Sequence, residues 1–158
     1  MSTRAIQALK RAQLPFEVIP YTHKEKGAAF AAQAIGFPLE KTVKTLIADL
    51  GGQGCVAALL PGNTQLDLKK LARFFRTKHA SMASTAVAER LTGYRVGGIS
   101  PFGLKQRLKS VMDSAIMNYS TVLINGGRRG VMLKMAPGDI LAVLRCPTAE
   151  IGRKTDIP

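Results

Sequence analysis

The sequence predicts an α/β (α+β) fold with a mixed sheet, and three observations carry that expectation. Apolar residues recur at helical spacing in several segments, as Ala28, Ala31, Ala32 and Ile35 do at i, i+3, i+4 and i+7. Short strand-like runs lie between them, VKTLIADL at 43–50 and CVAALL at 55–60. The two kinds of segment interleave without the strict alternation that an all-parallel sheet requires. The chain has 158 residues, 46% of them hydrophobic, and no repeat, low-complexity stretch or linker. One domain spanning 1–158, with room for a sizeable core, is the expectation.

Each element has a local reason. Ser2 or Thr3 caps a first helix that runs to about Ala12 with Ile6 and Leu9 inward, and Pro15 closes its connection. FEVIPY, from Phe16 to Tyr21, is a short strand whose Pro20 marks an edge or a strand end. The Ala28 to Ile35 helix stops at Gly36 and Pro38. GGQG suits the turn of a hairpin between the two runs already quoted. Asp67 is a good N-cap for a helix with Leu68, Leu71, Ala72 and Phe75 on one face. A further helix starts near Ser84, carries Val87 and Leu91, and stops at Gly93. Tyr94 to Ile99 is expected to be extended and to lead into the loop VGGISPFG. Thr121 to Asn125 and Val131 to Met135 flank GGRRG as a second hairpin. Pro137 then opens a last helix, with Asp139 near its positive end and Ile140, Leu141 and Leu144 inward.

Charge gives the first functional indication. Lys and Arg number 23 against 10 Asp and Glu, a net +13 and an isoelectric point near 10.3. Such an excess attracts polyanions, so nucleic acid is the expected partner. A membrane surface is the poorer fit, because no strongly amphipathic basic helix carries large apolar anchors. The N-terminal stretch MSTRAIQALKRAQ lacks the continuous apolar segment of a signal peptide, and a cytoplasmic location is expected. Cys55 and Cys146 are too few for a disulfide framework and do not make a metal-type pair.

Familiar catalytic sets are missing: no HExxH, GxSxG, P-loop or CxxC occurs. His23 and His79 have no neighbouring cysteine or histidine to build a zinc site, so neither metal nor cofactor is expected. Two glycine loops and isolated cations remain. In the loop Gly97, Gly98, Ile99, Ser100 and Pro101, the first four residues offer main-chain N–H groups of the kind that stabilise an oxyanion, and Pro101 stiffens the exit. Asn125, Gly126 and Gly127 form a second glycine turn carrying Arg128 and Arg129. Lys44 sits among Val43, Leu46 and Ile47, where strand alternation alone makes it an outward residue.

The order PYTH, VKTL, TQLDLKKLA, TGYRVGGISPFG and NGGRRG resembles the YbaK family of free-standing aminoacyl-tRNA deacylases, relatives of the editing domain inserted in bacterial prolyl-tRNA synthetase. The resemblance runs from the first helix to about Arg153. It implies a compact domain around a mixed, barrel-like sheet flanked by helices. It also implies hydrolysis of the ester between a wrong amino acid and the tRNA 3′ end, without metal or protein nucleophile. Lys44 is then the key cation, with Gly97 and Gly98 as the catalytic backbone. Tyr21, Phe30, Ile99, Ser100, Pro101, Asn125, Gly126 and Gly127 become substrate-binding residues. An aminoacyl ester is already reactive, so positioning and donors to the developing oxyanion are sufficient help.

The basic residues Lys69, Lys70, Arg73, Lys105, Arg107, Arg128 and Arg129 are candidate contacts to the phosphates of the tRNA acceptor stem. By the same likeness, prolyl-tRNA synthetase is a possible partner. Met132 stands where cysteinyl-directed relatives often carry an acid, and Asn125 where a small hydroxyl residue is common. Cys-tRNA(Pro), or another small amino acid on tRNA, is the expected substrate. The competing reading is a non-catalytic nucleic-acid-binding module or a synthetase-associated adaptor of the same fold. Aromatic residues at 6%, with no Trp, weaken a base-stacking module.

Overall fold

The computed structural model describes residues 2–154. Thr3 caps α1 (Arg4–Arg11), its Oγ1 accepting from the Ile6 N–H at 3.1 Å, and the helix buries Ala5, Ile6 and Leu9. The strand β1 (Glu17–Pro20) ends on its proline and is the outermost of its sheet, an edge position that tolerates the missing N–H. Next comes α2 (Ala28–Ile35), closed by Gly36 in the left-handed conformation. The strands β2 (Thr42–Asp49) and β3 (Cys55–Pro61) pair antiparallel from Val43↔Pro61 to Asp49↔Cys55, as the GGQG turn leads one to expect.

After β4 (Thr64–Leu66), the Asp67 carboxylate accepts from the Lys69 and Lys70 N–H groups and starts α3 (Leu68–Phe74). The short β5 (Ser81–Met82) precedes α4 (Thr85–Thr92), which Ser84 caps and Gly93 ends. The remaining elements are β6 (Lys109–Asp113), β7 (Val122–Arg128), β8 (Val131–Met135), α5 (Pro137–Leu144), β9 (Thr148–Ala149) and β10 (Gly152–Lys154).

One large sheet has the order β1-β8-β7-β2-β3-β6-β9, with β5 added to β2, and β10 pairs separately with β4. It is mixed: β7 on β2, β6 on β3 and β9 on β6 are parallel, and the other ladders are antiparallel. Helices cover both faces, so a central strand is apolar throughout. Leu59 and Leu60, neighbours on β3, are both fully buried. Leu59 packs with Ile6, Leu9, Phe102, Ile124 and Ile140; Leu60 packs on the other face with Ala48, Leu71, Val111 and Ile151. No helix among the described residues is long and apolar enough to cross a membrane.

Two expectations are corrected. Tyr94 to Ile99 is a series of bends and turns, not a strand. Gly97 adopts φ +94°, and the Val96 N–H is held by the Glu89 carboxylate at 2.8 Å instead of by a neighbouring strand. The second hairpin turns at Arg129 and Gly130, while Gly126 and Gly127 belong to β7 as an irregularity between Asn125 and Arg128. That bulge puts extra chain on one strand and re-aims the side chains around it.

The C-terminal strand depends on one buried carboxylate. Asp113 Oδ1 accepts from the Ala115 N–H at 2.9 Å, and Oδ2 from the Ile151 and Gly152 N–H groups at 3.1 and 2.8 Å. Asp113→Ala would leave these donors unpaired and is expected to cost about 3 kcal/mol or more. Urea unfolding of the variant checks this, and wild-type stability would contradict it.

Candidate active site

The sheet is split beside β2. On the side away from β3, β7 pairs with β2 only at Thr42 and Val43, and β5 only at Ala48 and Asp49. A cavity of about 280 Å³ opens in the gap, lined by the consecutive residues Val43, Lys44, Thr45, Leu46 and Ile47. Successive strand residues face opposite ways, so a cavity touching all of them meets the strand edge-on. The opposite wall is the glycine loop, through Val96, Gly97 and Ile99, and the hairpin contributes Asn125 and Met132. Tyr21, Ala28, Ala31, Met82 and Ala88 complete a mostly apolar lining. That volume suits a group the size of one small amino acid.

Lys44 is the only charged side chain among the described residues that line this cavity. Its Nζ donates to the Thr64 carbonyl, and burial pushes the ammonium below the ordinary lysine range. The strand alternation that makes Lys44 look outward misses this edge position.

Asn125 joins the Gly97 turn to the bulge of β7. Its Nδ2 donates to the Gly97 carbonyl at 3.2 Å, and its Oδ1 accepts from the Gly127 N–H at 2.7 Å. Arg129 adds a second tie, donating from Nε and Nη2 to the Val96 carbonyl at 3.1 and 2.7 Å. Thr3 Oγ1 donates to the Gly126 carbonyl, fastening α1 to the bulge. Tyr94, its hydroxyl pKa pushed up to about 12 by burial, donates to the Phe102 carbonyl and pins the loop's far end. The Gly98 N–H closes a turn on the Arg95 carbonyl at 2.8 Å, whereas the Gly97 N–H has no partner among the described residues.

The expected substrate residues therefore divide. Tyr21, Lys44, Gly97, Ile99 and Asn125 line the cavity. Phe30 stands behind Tyr21, with ring centroids 6.4 Å apart. Ser100 is fully buried, and its Oγ accepts from the Phe102 N–H at 3.3 Å, so it shapes the loop from behind. Pro101 borders another depression with Lys105 and Arg107. Gly98, Gly126 and Gly127 support the walls.

The expected tRNA cations are not gathered in one place. Arg128 and Arg129 border a groove behind the Gly97–Gly98 turn, together with His23, Arg95 and Glu89. Lys70 and Arg73 lie on another depression, where Lys70 is paired with Glu150 at 2.8 Å, and Lys69 is exposed on α3. Nothing in the sequence singles out Arg95, which borders that groove beside His23, a loop residue. Burial raises the thiol pKa of Cys55 and of Cys146, and neither lines the cavity.

A half-desolvated ammonium and a free glycine N–H at a small apolar cleft suit a protein that binds a carbonyl compound and stabilises charge on its oxygen. Residues 23–143 match the family model described as the aminoacyl-tRNA editing domain. The chain belongs to that family. It is 31% identical over 96% of its length, and 94% of the relative's, to the Enterococcus faecalis protein named "Putative Cys-tRNA(Pro)/Cys-tRNA(Cys) deacylase EbsC". It is 33% identical to the Escherichia coli "Multifunctional Ser/Thr-tRNA deacylase ProXp-y" over 84% of this chain and 83% of that one. A solved structure described as "a putative trans-editing enzyme for prolyl tRNA synthetase" superposes with a TM-score of 0.85 at 27% identity, covering 95% of each chain.

Proposed function

We propose that residues 1–158 act as one unit, a trans-acting deacylase that hydrolyses the ester between a small non-cognate amino acid and the 3′ end of tRNA, with Cys-tRNA(Pro) the first candidate. The carrying observation is Lys44, the one charged group among the described residues that line a small, largely apolar cavity open along a strand edge. Water attacks the ester carbonyl, the Gly97 N–H and the Lys44 ammonium stabilise the tetrahedral oxyanion, and the bond to the ribose oxygen breaks. The free amino acid and the tRNA hydroxyl leave, and no protein nucleophile takes part.

The aminoacyl group sits against β2, and the groove behind the glycine loop takes the neighbouring phosphates. Its Arg95, Arg128 and Arg129 support that placement. A synthetase holding the same tRNA, such as prolyl-tRNA synthetase, would present the 3′ end to this cavity in the cytoplasm. Met132, 2% exposed and on the wall, offers only a weak acceptor, so selection among small side chains rests on shape. One methylene is worth only ~1–3 kcal/mol there.

A panel of cysteinyl-, seryl-, alanyl- and prolyl-tRNA tests the reading. Hydrolysis of the small aminoacyl groups with modest ratios among them is expected, and no turnover of any would end it. Affinity for tRNA should fall steeply with salt. Arg95→Ala and Arg128→Ala should each lower the log–log slope by roughly one unit or less.

A further inference from the structure

Thr45 is the residue of β2 whose polar groups find no use among the described residues. It lies in the stretch that neither β7 nor β5 pairs. The Ile47 carbonyl turns away from β3 and accepts from the Ala83 N–H at 3.0 Å. Along a strand, main-chain groups two residues apart turn to the same side, so the Thr45 N–H and carbonyl face the cavity as well. The side chain supplies an independent sign. Thr45 is 9% exposed and lines the cavity, and its Oγ1 alone, among described buried side-chain N and O atoms, has no hydrogen-bond partner. Buried hydroxyls without partners are rare in folded proteins and call for a reason.

We propose that this open edge takes the α-amino acid portion of the substrate as a one-residue addition to the sheet, an inference that rests on the deacylase reading. An aminoacyl ester repeats the N–Cα–C=O spacing of a strand residue. Its ammonium donates to the Thr45 carbonyl, and in the bound ester its carbonyl oxygen accepts from the Thr45 N–H, the Gly97 N–H and the Lys44 ammonium joining as negative charge develops on that oxygen. Rotation about χ1 exchanges the Thr45 hydroxyl and methyl between staggered wells and brings Oγ1 onto a second ammonium proton. No carboxylate lines the cavity among the described residues, so these uncharged oxygens are what an α-ammonium meets there. Recognition at Thr45 reads the part common to all amino acids and leaves side-chain size to the opposite walls.

Binding of two hydrolysis-resistant compounds tests the proposal: 3′-deoxy-3′-(L-alanylamido)adenosine and its propionylamido counterpart, which lacks only the α-ammonium. Wild type should bind the alanyl compound at least about tenfold more tightly. Thr45→Val should weaken the alanyl compound about fivefold and leave the propionyl compound unchanged. Equal wild-type affinities, or equal weakening of both compounds in the variant, would overturn it. So would failure to bind either one. Hydrolysis of mischarged tRNA by the same preparation tells any of these outcomes apart from failure of the deacylase reading itself.

Discussion

Lys44→Met is expected to lower kcat/KM for mischarged tRNA at least about 100-fold, the scale of removing one oxyanion donor, while the melting temperature stays within about 3 °C of wild type. The two halves of this result have one cause. Lys44 is half-buried at the cavity, and desolvation disfavours its charged form. The folded chain therefore gives up this proton at lower pH than the unfolded chain. Between the depressed value and the ordinary lysine value the unfolded state holds more protons, so stability rises with pH across that window. Below it the buried charge opposes folding. Methionine keeps the packing of the stem without the charge, which offsets the lost bond to the Thr64 carbonyl. Since the ammonium is the active form, wild-type activity should decline on the alkaline side below the ordinary lysine range, and the variant's residual rate should lack that limb. A variant with normal turnover would remove Lys44 from the chemistry.

Gly98→Ala is expected to damage both activity and fold, for a reason that is not conformational freedom. A Cβ at Gly98 would lie 2.8 Å from Arg128 Cα and 3.0 Å from the Arg129 nitrogen, all main-chain atoms of the facing hairpin. Neither side can yield by rotating a side chain. The loop must lift, and the bonds from Asn125 and Arg129 that hold it to the hairpin must stretch with it. Overpacking of this kind costs about 1–3 kcal/mol, and a displacement near 1 Å can lower turnover about 100-fold. Gly138→Ala is the matched control: nothing lies within 4 Å of its added Cβ, and the first turn of α5 accepts alanine. Deacylation by Gly98→Ala at the wild-type rate would show that the loop does not need its seat on the hairpin.

What the sequence makes legible is what acts locally. Asp67, Ser84 and Pro137 announce helix starts because an oxygen or a missing N–H works within one turn, and each starts a helix in the structure. The order of the family motifs is legible for a different reason, and the match over residues 23–143 bears it out. Tyr94 to Ile99 escapes such reading. Its apolar spacing suggests a strand, but its conformation is imposed by Glu89, Asn125 and Arg129, each from another element. Ser100 looks like a site residue from its glycine neighbours, yet its burial follows from how the loop meets the core. Thr45 lies within the motif VKTL, but its open main-chain edge cannot be read there, because an unpaired edge is a property of where β5 and β7 stop. The strand β6, KSVMD, is too short a run to stand out and exists through its parallel pairing with β3.

That reliance on distant pairing sets the order in which the protein can come into being. The parallel ladder Thr42↔Leu123, Val43↔Ile124 joins the first third of the chain to its last quarter, and no hairpin can nucleate it. Closing such a loop loses chain entropy before any contact compensates, which makes these pairings slow and late. The cavity draws on Tyr21, Lys44, Gly97, Asn125 and Met132 and is empty of meaning until that ladder shuts. A nascent chain on the ribosome that has not yet released β8 already carries most of the positive charge that attracts RNA, but it has no chamber in which to cut an ester. Refolding followed by amide protection at Val43 and by recovered hydrolysis should accordingly show one shared rate, the slowest in the reaction.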